Sequence, residues 1–198
     1  MSRSFIRTAT TRLGVLAAVA TFAGCSAGYT TDNNSTVLLI LAAINGGTPL
    51  QSDVIKDGTT ILSDSVKVSV AVRFKNRNIT VAPSIPSAVI VDRYEVRYRR
   101  SDGRGVEGQD VPYTISGNIA FAFDVKTSGT DDVLIEVVRG QAKLEPPLRN
   151  LQGAVKNALG GAFILTVFAD ITLHGHTISG QAVSGTGTLQ IDFADYGS

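Results

Sequence analysis

From Val66 to Lys75 every second side chain is apolar. Val66, Val68, Val70, Val72 and Phe74 alternate with Lys67, Ser69, Ala71, Arg73 and Lys75. A strand turns successive side chains to opposite faces, so this period describes a strand with one face in a core and the other in water. A helix would scatter the same set around its axis. The pattern then recurs along the chain. In Val89–Arg100, Ile90, Tyr94, Val96 and Tyr98 oppose Arg93, Glu95, Arg97 and Arg99. Further alternating sets are Val111, Tyr113 and Ile115; Ile119, Phe121, Phe123 and Val125; and Val133, Ile135 and Val137. The last two are Phe163, Leu165, Val167, Ala169, Ile171 and Leu173, and then Leu189, Ile191 and Phe193.

What lies between these segments punctuates them. Asn76-Arg77-Asn78, Asp102-Gly103, Ser116-Gly117-Asn118 and the polar stretch Thr127–Asp132 read as turns or loops, as does Ser184-Gly185-Thr186-Gly187. Pro83 and Pro86 mark a connection, and Pro112 an edge position. Before the first alternating strand, Val37–Ile44 is a continuous apolar run closed by Asn45-Gly46-Gly47, the pattern of a strand buried on both faces. Leu148, Leu151, Val155 and Leu159 are spaced by three and four, which predicts a short helix near 148–159. Seven to nine short strands without alternating helices make an all-β antiparallel sandwich, and the strand spacing favours the immunoglobulin-like type. The Cys…Trp…Cys landmark of true immunoglobulin domains is absent, since the chain has one cysteine and no tryptophan. The expected organisation is a segment 1–24, a tether 25–36 and one sandwich domain 37–198.

The first of those segments is an address. Arg3, Arg7 and Arg12 precede the uncharged run Leu13–Ala20, which leads into Phe22-Ala23-Gly24-Cys25. A basic start, a short apolar core and small residues before a cleavage point form a secretory signal, and the core is too short to span a bilayer. Residues 22–25 resemble the lipobox of bacterial lipoproteins, with Phe22 at its aliphatic position. The resemblance covers about the first 26 residues. It implies cleavage before Cys25, diacylglycerol on the Cys25 sulfur, and acylation of the new amine. Ser26 in the following position resembles outer-membrane sorting in Gram-negative lipoproteins. An unpaired cysteine in an exported chain already asks for a role. Ser26–Ser35 is small and polar apart from Tyr29 and reads as a flexible tether.

Cleavage would leave 15 of the 18 basic residues against all 17 acids, a net charge of −2 with both histidines neutral. That composition excludes the strongly basic face of a nucleic-acid binder. Three groups are candidate sites. His174 and His176, the only histidines, share a strand face with Asp170 and could hold a metal such as zinc. The readier reading is a solvent-facing pair. Arg93, Arg97 and Arg99 form the densest basic group and suit carboxylates, phosphates or sugar acids, although neighbouring acids would make this an ordinary solvated face. Asp124, Asp131 and Asp132 beside Gly129 could offer oxygens to calcium, but without EF-hand spacing.

No catalytic constellation occurs. There is no Gly-x-Ser-x-Gly elbow, P-loop or dinucleotide fingerprint. The expected protein is a non-enzymatic, lipid-anchored sandwich of the cell envelope, in the outer membrane. Its only cofactor would be the covalent lipid, and its partners the membrane and an envelope protein or polysaccharide. Two alternatives stand beside it. One is a subunit of a surface fibre that donates strand 37–44 to a neighbour. The other is a metal-binding protein or enzyme built on His174 and His176.

Overall fold

The computed structural model describes residues 35–76, 78, 88–153 and 164–196. The expected signal segment 1–24, Cys25 and nearly all of the expected tether lie outside those residues. Eight strands are described: β1 (Val37–Ile44), β2 (Leu50–Asp53), β3 (Asp64–Phe74), β4 (Val89–Arg100), β5 (Ile115–Phe123), β6 (Asp131–Val138), β7 (Ile164–Thr177) and β8 (Ala182–Ala194). They form a three-stranded sheet, β1-β3-β6, and a five-stranded sheet, β2-β8-β7-β4-β5. All pairings are antiparallel except β2 with β8, which is parallel. In immunoglobulin lettering these are sheets A-B-E and A′-G-F-C-C′. The expected all-β sandwich is therefore present, with immunoglobulin-type connectivity.

The two sheets share one apolar core. Val66, Val68, Val70 and Val72 of β3 meet Val167, Ala169, Ile171 and Leu173 of β7 and Ile191 and Phe193 of β8 in that cluster. Tyr98 of β4 supplies a polar tie within it. Its hydroxyl donates to the Val137 carbonyl of β6 at 2.6 Å, from one sheet to the other. Burial pushes the Tyr98 phenol well above its ordinary range. It therefore stays a neutral donor.

Several local expectations change. β1 is an edge strand, not one buried on both faces: Leu38 and Ile40 are half-buried and Ala42 is exposed. A register shift between Leu41 and Ala43 lets Leu41 and Ile44 both point inward. In β4 a bulge at Asp92 changes parity, so Val89 and Val91 are buried while Ile90 shares the outer side with the arginines. Ser116-Gly117-Asn118 is not a turn but part of β5, and Gly117 leaves room for the Tyr94 ring. Val111 makes only an isolated bridge to Glu107, so the expected strand through Tyr113 is a loop. Ser184–Gly187 lies inside β8, and the real turn is at Ile178–Gln181, where Gly180 has φ of 83°. The glycines of β8 serve packing instead. A Cβ on Gly185 would sit 2.4 Å from the Leu39 carbonyl oxygen, where β1 closes the side of the sandwich. Of the helix expected near 148–159, Leu148–Leu151 form a 3₁₀ turn, preceded by a single turn α1 (Gly140–Lys143), and the rest of its span beyond Gly153 is not described. Residues 154–163 lie outside the described set.

The chain enters the body at one end. Ser35 is buried and its hydroxyl accepts from the Val37 amide. Thr36 accepts from the Lys75 amide, Lys126 donates to Val72, and Ile178 donates to Ala88, so the end of β3, the start of β4 and the β5–β6 and β7–β8 connections gather there. The β2–β3 and β4–β5 loops and the turns Gly140–Lys143 and Leu148–Leu151 gather at the opposite end.

Candidate functional site

β4 and β7 pair along eleven positions, which brings two of the candidate groups onto one surface. Arg93 stands opposite His174, Glu95 opposite Thr172, and Arg97 opposite Asp170. β8 extends these rows with Ser184, Thr186 and Thr188, and β5 with Asn118 and Ser116. The result is the outer face of the five-stranded sheet, flat and polar, and made of side chains that alternate with the core residues of the same strands.

The face neutralises itself. Arg97 pairs with Glu95, and the Arg93 guanidinium lies 4.0 Å from the same carboxylate. Arg99 binds Asp170 at 3.0 Å and stacks its guanidinium over the Phe168 ring at 5.0 Å. Thr188 also donates to Asp170, at 2.7 Å. His176 Nδ1 lies 3.2 Å from Asp92. Arg93, Arg97 and Arg99 are thus matched by Asp92, Glu95 and Asp170. The three arginines therefore stand among carboxylates in a charge-balanced lattice.

His174 sits in the middle of it. Its Nε2 is buried without a hydrogen bond and lies 4.0 Å from Glu95. Burial, helped by the neighbouring Arg93, lowers its pKa below the ordinary imidazole value, against the opposing pull of Glu95 and Asp92. A Cβ on Gly175 would fall 2.2 Å from the Ile90 carbonyl oxygen, because the Asp92 bulge presses the β4 backbone against β7. Only glycine fits between the two histidines.

His174, His176 and Asp170 do share the outer face, as their parity predicts, but they do not assemble. Asp170 lies two side-chain steps from His174, about 13 Å along a strand, and is held by Arg99 and Thr188. Among the described residues no three His, Cys, Asp or Glu side chains come within reach of one ion. Asp131 and Asp132, at the start of β6, are also engaged. Lys126 pairs with Asp131, and Asp132 accepts from Ser69 at 2.7 Å and pairs with Lys67 at 3.1 Å. Those partners, Ser69 first, hold the Asp132 carboxyl below its ordinary range.

A second polar cluster carried no signal in the sequence. At the end away from Ser35, Lys143 is 1% exposed, the one charged side chain among the buried residues described. Its Nζ lies 2.9 Å from Asp64 Oδ2 and donates to the Asp53 carbonyl at 2.7 Å. Ser52, wholly buried, donates to the same Asp64 oxygen at 2.6 Å. The three come from β2, β3 and the β6–β7 crossover, so only the fold joins them. No family model, curated protein or solved structure matches this chain.

Proposed function

We propose that this protein is a lipid-anchored component of a bacterial cell envelope that holds a partner protein or polysaccharide near the membrane, without catalysis. One observation carries the reading. A lipobox-type sequence ending in Cys25 leads into an immunoglobulin-type sandwich whose described body begins at Ser35. The body therefore hangs from its anchor by one end. Its opposite loops are presented away from the tether and its polar outer sheet face lies along the side of the body, and loops and sheet faces on rigid scaffolds make contacts. The balanced charge of the outer face favours a neutral, hydrogen-bonding partner such as a polyhydroxylated glycan over an anion.

Metabolic labelling with a radioactive fatty acid tests the anchor. The wild-type chain takes up label and sediments with membranes, and Cys25→Ser does neither. An unlabelled wild-type chain would remove the premise. Cross-linking in native membranes followed by mass spectrometry then tests the partner. A specific adduct through the β4 or β7 outer face supports the reading, and its loss in Arg93→Glu/Thr172→Glu localises it. Absence of any specific adduct, together with no binding across a glycan panel, contradicts it.

A further inference from the structure

We infer that Lys143 and Asp64 are the partners of an intramolecular amide cross-link, formed by condensation of the Lys143 amine with the Asp64 carboxyl group. The inference is independent of the envelope reading above.

Three observations carry it. The amine and the carboxyl are placed as reactants, with Nζ 2.9 Å from Oδ2, and Lys143 is 1% exposed. Their backbones are fixed on both sides. Asp64 is registered against Val138 in the β3–β6 pairing, Gly140 donates to the Ser63 hydroxyl, and the Gln152 side chain donates to the Lys143 carbonyl. Groups held in this way react as one molecule, at effective molarities no free pair reaches. Finally, the Lys143 amine, 1% exposed, has lost the water that would stabilise its charge. Passing one proton from nitrogen to oxygen discharges both groups and leaves the amine and acid that can condense.

The step balances without an outside reagent. The Nζ lone pair attacks Cγ of the protonated carboxyl and forms the C–N bond. The bond from Cγ to the hydroxyl breaks, and one amine proton joins the leaving oxygen, giving one water. Ser52, hydrogen-bonded to Oδ2 at 2.6 Å, is placed to relay that proton. Asp64 is 22% exposed, so the water has a way out. The product keeps one N–H, and the Asp53 carbonyl, already bonded to Nζ at 2.7 Å, is there to accept it. The link would fasten the start of β3 to the β6–β7 crossover in a chain whose single cysteine leaves no disulfide within it.

Peptide mass spectrometry of the full chain decides the matter. The expected result is a branched peptide joining Lys143 to Asp64, lighter than the two linear peptides by one water, with no tryptic cleavage after Lys143. Lys143→Arg and Asp64→Ala should lack it and melt about 10 °C lower, the effect of opening a long closed loop in a domain of this size. Ser52→Ala should form the link at least ten times more slowly after refolding. If folded wild-type protein kept for days at neutral pH gives only linear peptides, the pair is an ion pair and the inference falls. If Ser52→Ala cross-links at the wild-type rate, the proton relay assigned to Ser52 falls.

Discussion

Gly175 shows how much one side chain can decide. Its missing Cβ is the space that the Ile90 carbonyl occupies. Gly175→Ala must therefore move backbone, and we expect a loss of about 2–3 kcal/mol in urea unfolding, at the upper end of overpacking effects. The neighbouring His174 gives the face its pH dependence. Because the folded state lowers its pKa, the unfolded chain takes the proton first as pH falls. Stability is then complete above the ordinary imidazole value and declines as pH drops from there toward the folded value. A thermal midpoint that falls as pH drops below about 6.5, with a slope reduced by His174→Gln, is the expected outcome. An identical slope in the variant would assign the effect elsewhere. The sequence places both histidines on one face through their spacing alone. It does not show that Glu95 and Asp92 face them, because that depends on the bulge at Asp92.

At the scale of elements, the pairing of β4 with β7 and the tie between β4 and β6 do different work. The ion pairs of the outer face are largely solvent-exposed, and Arg97 is 73% exposed. Such pairs are worth little because water screens them and the side chains lose freedom. We expect Arg97→Ala to change stability by less than about 0.5 kcal/mol. Tyr98→Phe should cost about 1–2 kcal/mol, since it strands the buried Val137 carbonyl without a donor. Denaturant titration of the two variants side by side checks the contrast. The strands themselves were largely legible, and the bounds of β4 follow directly from its alternation. The short β2 was not, because its four residues have no period to detect and gain their place from parallel pairing with β8.

For the molecule as a whole, β1 is the closing piece. It pairs with β3 of its own chain and packs against Gly185 and Gly187 of β8. Strand 37–44 thus completes its own sandwich. A chain lacking residues 35–45 should fail to unfold cooperatively, and a peptide of those residues added in trans should restore the transition. An unchanged transition in the shortened chain would show that β1 is dispensable to the core. Such a result would reopen donation of this strand to a neighbour.

The sequence by itself determined the class of fold, the positions of most strands and, away from the bulges at Asp92 and Ala42, the face that side chains take. These are local properties, since a period of two acts through residues close along the chain. It also carries Phe22-Ala23-Gly24-Cys25, the contiguous pattern on which the proposed anchor rests. Tertiary structure decided what stands opposite what. Register set Arg93 against His174 and Arg97 against Asp170, turning a run of arginines into a neutral lattice. Packing decided that Ser184–Gly187 is strand and not turn, since the neighbour that excludes a Cβ belongs to β1. The junction of Ser52, Asp64 and Lys143 lies furthest from sequence, because it joins three separate segments whose meeting no local pattern encodes.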